Sequence, residues 1–271
     1  MSEFGGRVAV VTGAGSGIGR ALAVALAQRG ARIALSDVDE AGLAETARLI
    51  GAGHRADPLD VTDRAAVLAY ADEVATAFSG VNQVYNNAGV GFAGNVLTSS
   101  FADIERVVDI DFWGVVNGTK AFLPHLIASG DGHVVNISSV FGILSVPGQS
   151  AYNAAKFAVR GFTESLRQEM VLAGHAVRVT CVHPGGIKTN IARNAARSAE
   201  YADGEALERF ERRALRMAPS DAARVILAGV ARNRARVLVG ADAKALDLLV
   251  RLTGSGYQQV MARLARRTFS R

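Results

Sequence analysis

The stretch "RVAVVTGAGSGIGR" (Arg7–Arg20) decides the fold. A short apolar run through Val11 leads into glycines at 13, 15, 17 and 19, and a helical pattern opens at Ile18. A strand that turns into a helix through glycines lets the backbone approach a pyrophosphate closely and aims free N–H groups at it. Counted from Gly13, the spacing departs from G-x-G-x-x-G, because Ile18 stands in the third glycine's place. Context gives the turn its meaning: a strand precedes it, a helix follows, and Asp37 ends the next strand 24 residues after Gly13. A carboxylate there accepts hydrogen bonds from ribose hydroxyls and repels a 2′-phosphate, which favours NAD over NADP. Ser36 and Val38 flank Asp37 and Ser16 lies in the turn, which leaves Arg20 as the nearby cation that would reverse the choice.

Outward from this turn the same rhythm repeats. Strands are predicted at 7–13, 31–37, 81–89, 132–139, 176–185 and 235–240, with a short one near His54–Pro58. Helices are predicted at Ile18–Arg29, Glu40–Ile50, Arg64–Phe78, Phe101–Ile127, Ala151–Ala173 and Ser220–Ala231. This alternation implies βαβ units and a parallel sheet, and strands nearly continuous in Val, Ile and Ala imply helices on both faces. The expected fold is α/β: a single Rossmann-like doubly wound parallel sheet with a helical C-terminal extension. Residues 1–240 are read as one catalytic and dinucleotide-binding domain, and 241–271 as a helical extension of it. The polar segment 190–220 has no strand of its own in this reading and is a candidate lid.

The lone cysteine, Cys181, excludes an internal disulfide and suits a reducing compartment; within an apolar strand it reads as a small buried hydrophobe. No secretory signal is evident and no stretch has the 18 or so apolar residues of a spanning helix, so a soluble, cytoplasmic protein is expected without stable membrane insertion. The net charge of +5 is uneven: residues 232–271 hold nine Lys/Arg against two Asp/Glu, which leaves −2 on the rest. A basic tail on a nearly neutral body argues against nucleic-acid binding. The five histidines are scattered without metal-ligand spacing, and no metal is expected.

In "SAYNAAKFAVRGF" (150–162), Tyr152 and Lys156 stand four residues apart on one helical face. Alone, the pair reads as a tyrosine beside a solvated lysine sooner than as an acid/base unit, and the rest of the chain has to decide. A phenol with a pKa of about 10 needs roughly 4 kcal/mol of preference for its phenolate to act as a base near pH 7. A cation about 5 Å away supplies about 3 kcal/mol at an effective dielectric near 20. A lysine on the same face together with the positive nicotinamide of NAD⁺ is therefore sufficient in magnitude.

The chain also carries "TGAGSGIG" after the first strand, "LDVTD" after the third, "NNAG" ending the fourth, "NISS" ending the fifth, "YNAAK" opening the next helix and "HPGGIKT" after the sixth. In this order and at these intervals it resembles the short-chain dehydrogenase/reductase family from about Arg7 to Gly240. The resemblance implies an oxidoreductase in which Ser139, Tyr152 and Lys156 are catalytic; the thirteen-residue spacing to Tyr152 selects Ser139 over Ser138. It implies that Gly13, Ser16, Gly17, Ile18, Gly19 and Asp37 bind the nucleotide, and that Asp60 and Val61 bracket the adenine. Asn87, Ala88 and Gly89 line the cofactor, with Asn86 steadying the sheet; Tyr152 and Lys156 touch it as well; Pro184, Gly185, Ile187 and Thr189 hold the nicotinamide end. One position departs: aligned on "DFWGVVNGTKAFLP", Asp111 stands where the family usually has a fourth catalytic residue, asparagine. If the family role runs through the main-chain carbonyl, aspartate substitutes, and its carboxylate raises the lysine pKa; if the side-chain amide matters, proton relay is impaired.

Apolar residues near the strand ends, Phe92, Phe141 and Leu144 among them, suggest a hydrophobic secondary alcohol or ketone as substrate. Ordinary core packing explains the same residues about as well. Two amphipathic segments form the tail: Leu246, Leu249 and Val250 opposite Lys244, Asp247 and Arg251, then Tyr257, Val260, Met261 and Leu264 at i, i+3, i+4 and i+7. They read as helices docked on the protein or a neighbouring subunit, or as an interfacial helix. The family resemblance also implies a homo-oligomer, tetramer or dimer. The alternatives are an NADPH-dependent carbonyl or β-ketoacyl-thioester reductase, against which Asp37 stands, and a non-catalytic nucleotide-binding sensor, which only Asp111 favours.

Overall fold

The computed structural model of the protein describes residues 4–191, 195–198 and 215–269. Strands β1 (Val8–Thr12), β2 (Arg32–Asp37), β3 (Arg55–Pro58), β4 (Gln83–Asn86), β6 (Gly132–Ile137), β7 (Val177–Pro184) and β9 (Arg236–Val239) form one sheet, in the order β3-β2-β1-β4-β6-β7-β9. Every pairing in it is parallel. The order runs outward from β1 in both directions, which places the switch point between β1 and β4, where such sheets bind ligands at their carboxyl ends. Helices α1 (Gly17–Ala27), α2 (Glu40–Ile50), α3 (Arg64–Phe78), α4 (Phe101–Val108), α5 (Gly114–Ala128), α6 (Ser150–Leu172) and α7 (Pro219–Ala231) complete the crossovers.

Both faces of the sheet are covered, as its unbroken apolar strands require. On one side Leu22, Leu26, Ile33, Leu35, Ile226 and Leu227 pack with the sheet. On the other, Val74, Val84, Phe122, Leu126 and Val134 do so. A buried polar relay crosses the second layer: Asn86 Nδ2 donates to Thr119 (3.0 Å) and Asn136 (2.8 Å), and Asn136 Nδ2 donates to Thr163 (3.0 Å). Both amide nitrogens of the relay are paired in the interior, where an unpaired buried donor would cost about 1–3 kcal/mol. Cys181 is fully buried, and burial pushes its thiol up to about 12, in keeping with a packing role.

Three expectations are corrected here. The helix predicted over Phe101–Ile127 is interrupted by a π-helical turn, Asp109–Trp113, in which Gly114 N–H reaches back to Asp109 O. Gly114 then lies so close to Val61 that a Cβ would be 2.6 Å from Val61 Cγ2, so the wide turn is shaped by packing against another loop. Segment 190–220, expected to hold no strand, contributes β8 (Ala196–Arg197), paired in parallel with β5 (Phe92–Ala93). Most of that candidate lid, 192–194 and 199–214, lies outside the described residues. In the C-terminal helices α8 (Ala241–Thr253) and α9 (Tyr257–Phe269), Asp247 does not face solvent: it is buried, with Arg236 at 2.7 Å and Arg251 at 2.9 Å. A carboxylate between two guanidiniums overrides the amphipathic pattern. The same helix pair packs Ala243 and Tyr257 against Val140 and Leu144, and Tyr257 Oη accepts the Ser145 N–H at 3.1 Å.

Candidate active site

The glycine turn leaves α1 with an open N-terminus. Ser16 makes no capping hydrogen bond and the first turn holds no acid. The next three helices are capped by side chains: Asp39 accepts from Gly42 N–H, Asp63 accepts from Ala66 N–H, and Ser100 forms a capping box with Asp103. An uncapped terminus with bare glycines in front is an anion site in waiting. The turn has no room to spare: a Cβ on Gly13 (φ +64°) would lie 2.7 Å from Ala88 Cα, and one on Gly19 would overlap the Gly13 carbonyl. Gly17 has φ +53°. These features fit the pyrophosphate of a dinucleotide.

Asp37 is anchored beside the turn, its Oδ2 accepting Gly15 N–H (2.7 Å) and its Oδ1 accepting Asp39 N–H (2.9 Å). Arg20 is committed elsewhere. Its guanidinium donates to the Gly15 and Gly42 carbonyls and, at 3.0 Å, to Thr46 Oγ1. Thr46, which the sequence did not single out, therefore holds the cation most able to alter nucleotide choice. Asp60 turns its carboxylate onto Thr62, and Val61 is fixed through its carbonyl, which accepts Asn117 Nδ2 at 2.9 Å.

Across the switch point, Asn87 Nδ2 donates to the carbonyls of Thr12 (2.9 Å) and Gly13 (3.1 Å). Thr12 Oγ1 accepts the N–H groups of Asn87 and Ala88. Thr12 is a second residue missed in the sequence; it ties the two strand ends together so that Gly13, Ala88 and Gly89 form one wall. On the opposite wall, a Cβ on Gly17 would lie 3.1 Å from Thr189 Cγ2, so the turn and the segment after Pro184 meet across the cleft. Gly185 N–H donates to Val239 O, and buried Ile187 folds its N–H back to Gly185 O. Asp242, also unnoticed in the sequence, accepts the Gly186 N–H at 2.6 Å and braces this loop from the first turn of α8.

The residues expected to be catalytic converge next to this wall. Lys156 and Asp111 form a buried ion pair, Nζ to Oδ2 3.2 Å, at 4% and 0% side-chain exposure. Asp111 Oδ1 accepts the Val90 N–H at 2.7 Å, and Lys156 Nζ donates to Ile137 O at 3.4 Å. The ammonium lies 5.5 Å from the Tyr152 ring centroid. A Cβ on Gly89 would sit 3.2 Å from Asp111 Oδ1 and 3.3 Å from Lys156 Nζ, so the cofactor wall and the ion pair touch. The two serines differ in their surroundings: Ser138 Oγ is spent on the Lys156 carbonyl (2.8 Å), while Ser139 lies beside Tyr152. Ser139 Oγ accepts the Phe141 N–H (3.1 Å), which orients the hydroxyl and leaves its proton to donate. His183 Nδ1 lies 2.9 Å from Ser139 O and fixes that backbone.

Electrostatically the site differs from the simple picture of a lysine beside a tyrosine. Burial pushes the Tyr152 phenol above its ordinary value; Lys156 pulls it down, Asp111 pushes it up, and Ser139 pulls it down through a hydrogen bond. Burial pulls the Lys156 ammonium down, but Asp111, Tyr152 and Cys181 together more than offset it, so Lys156 holds its proton more tightly than usual. The carboxylate has two partners for its charged form, and we assign the pair as ionised at neutral pH, although burial raises Asp111 as well. Of the apolar residues expected at the substrate end, Phe141 meets the Tyr152 ring edge-on at 6.2 Å. Phe92 packs with Val107, Ala151 and Ala155, and Leu144 packs with Val140, Ala243 and Tyr257, one layer behind.

With this geometry in place, comparison with known proteins decides the family. The pattern of the short chain dehydrogenase family matches residues 7–200. The chain belongs to the short-chain dehydrogenase/reductase family. It is 62% identical over 269 residues to the Mycobacterium tuberculosis protein SadH, named as an oxidoreductase, covering 97% of this chain and 96% of that one. Among solved structures it is similar to a family member from Burkholderia phymatum in complex with NAD, with TM-score 0.85 and 34% identity over 95% of this chain and 97% of that chain. It is also similar to levodione reductase, with TM-score 0.78 and 30% identity over 90% and 100%. As a short-chain dehydrogenase/reductase the protein is an oxidoreductase. Among the described residues no helix is long and apolar enough to cross a membrane.

Proposed function

We propose that this short-chain dehydrogenase/reductase uses NAD to interconvert a hydrophobic secondary alcohol and its ketone, with Tyr152 as the acid/base. The observation that carries the reading is the convergence of Ser139, Tyr152 and Lys156 against the Gly89 wall of the glycine-lined cleft. When bound, the nicotinamide supplies the hydride acceptor or donor. Ser139 donates to the substrate oxygen and orients it, Tyr152 gives or takes the proton at that oxygen, and the Lys156 ammonium steadies the phenolate form. Asp37 supports NAD: its carboxylate stands where a 2′-phosphate would be repelled, and Arg20, tied to Gly15, Gly42 and Thr46, is not free to receive one. The bound NAD of the Burkholderia protein agrees with this choice. Phe141 beside Tyr152 supports an apolar substrate, with Phe92 and Leu144 backing the wall. Exposed Phe101, Trp113 and Leu172 on α4, the π turn and α6 suit a homo-oligomer, and the lone cysteine suits a cytoplasmic setting.

A panel of hydrophobic secondary alcohols assayed with NAD⁺ and NADP⁺, in the parent and in Tyr152→Phe, tests this. Turnover with NAD⁺ is expected, together with a loss of about 10²–10⁴-fold in kcat for Tyr152→Phe while the variant still binds NADH. Equal turnover in the two proteins would remove Tyr152 from the chemistry; faster turnover with NADP⁺ would reverse the cofactor choice.

A further inference from the structure

The ion pair between Asp111 and Lys156 has a consequence that the family pattern, with asparagine at this position, does not share. We propose that Asp111 is a built-in counter-ion to Lys156 that keeps Tyr152 protonated through neutral pH and so sets the site up as a proton donor for carbonyl reduction. This rests on the reading of Tyr152 as the acid/base and adds to it the pH at which the two directions change over.

The geometry supports a permanent pair. Asp111 is fully buried and lies in the π-helical turn, whose wide register brings its carboxylate to the Val90 N–H (2.7 Å) and to Lys156 Nζ (3.2 Å). Held from two sides, the carboxylate cannot swing away from the ammonium. A neutral amide there would leave Lys156 as a lone buried cation near the Tyr152 ring, and a cation near a phenol favours the phenolate. A carboxylate paired with that cation cancels much of its field. The same opposition appears in the tyrosine itself, which Lys156 pulls down while Asp111 and burial push up.

The other groups around the trio do not offset this. From β7, the Cys181 thiol is pushed up to about 12 and the His183 imidazole down to about 4, so both are neutral at pH 7. From the end of β6 comes the Ile137 carbonyl, and from the residues just after it the hydroxyls of Ser138 and Ser139. Arg106 on α4 acts on Asp111 and favours its carboxylate, which strengthens the counter-ion. In reduction the proton passes from Tyr152 Oη to the carbonyl oxygen as hydride from NADH reaches the carbonyl carbon; the phenolate then regains a proton from solvent. In oxidation the phenolate must exist first, so the counter-ion moves that direction to alkaline pH. The equilibrium between alcohol and ketone is unchanged; only the pH dependence of each rate moves.

The test reads the phenolate and the rates separately. An ultraviolet difference titration of the cofactor-free parent against Tyr152→Phe isolates Tyr152, whose phenolate is expected to form no earlier than that of free tyrosine, at about pH 10. In Asp111→Asn the titration is expected to move down by about one to two pH units. The pH profiles of kcat/KM for oxidation and for reduction should move down with it by the same amount. A parent phenolate that forms near neutral pH overturns the proposal, and that result needs no variant to fold. So does an Asp111→Asn protein, folded by circular dichroism and still binding NADH, whose titration and profiles stay where they were. Turnover retained by Tyr152→Phe would instead overturn the reading on which the proposal rests.

Discussion

The two ends of the cleft are built on opposite electrical plans. At the glycine turn the protein leaves groups unspent: α1 starts without a cap, and Asp37 accepts only two backbone N–H groups. At the tyrosine end the groups spend themselves on one another, in an ion pair at 0–4% exposure. The first arrangement stores little energy and waits for a ligand. The second is an internal pair whose loss leaves a buried charge. Apart from its tightly packed glycines, substitutions at the nucleotide end should therefore change affinity with little change in stability, whereas those at the tyrosine end should change both.

Lys156→Met breaks the contrast hardest. It strands the Asp111 carboxylate, and a stability loss of about 3–5 kcal/mol is expected in urea unfolding. The double variant Lys156→Met/Asp111→Leu should regain most of that loss while staying inactive. If the single variant is as stable as the parent, the pair carries no structural weight.

Acid sharpens the same contrast. Burial lowers His183, beside Ser139, to about 4, and lowers His133, on β6, to about 3. Each is near 6.5 in the unfolded chain. Between these values the unfolded state binds more protons, so stability is present above about pH 6.5 and is lost as pH falls through 4. His183 alone accounts for about 3 kcal/mol of that loss. His183→Asn keeps a donor toward Ser139 O and should flatten the dependence of the urea midpoint between pH 6.5 and 4. An unchanged slope would mean that the imidazole is not held neutral.

The smallest effect belongs to the nucleotide end. Asp37→Ala should shift the NADPH-to-NADH affinity ratio toward NADPH by about tenfold, near 1.4 kcal/mol. Its stability should stay within about 1 kcal/mol of the parent, since two partly exposed backbone hydrogen bonds are all that it loses. A large stability loss here would erase the distinction between the two ends.

How legible these ends were in the chain follows from how local they are. The glycine turn, Asp37, the strand rhythm and the Tyr152–Lys156 face each span a few dozen residues or fewer, and periodicity with turn chemistry suffices to read them. Thr12, Thr46 and Asp242 act through hydroxyls and a carboxylate on backbone groups of other elements, and nothing in their neighbourhoods marks them. Asp247 looked outward because helical periodicity knows nothing of Arg236, eleven residues earlier on β9. The π turn left no trace in an unbroken helical pattern, because its register answers to the close approach of Gly114 to Val61.

By itself, then, the sequence determined the α/β class, the dinucleotide turn and the residue types that family chemistry needs, because these depend on spacing along one chain segment. Only the tertiary structure decided what Asp111 does. It lies 45 residues from Lys156, and their charges act on Tyr152 only because a widened turn between α4 and α5 brings them within 3.2 Å in the buried interior. A charge takes its meaning from burial and from the partner it meets, and neither is written in the order of residues.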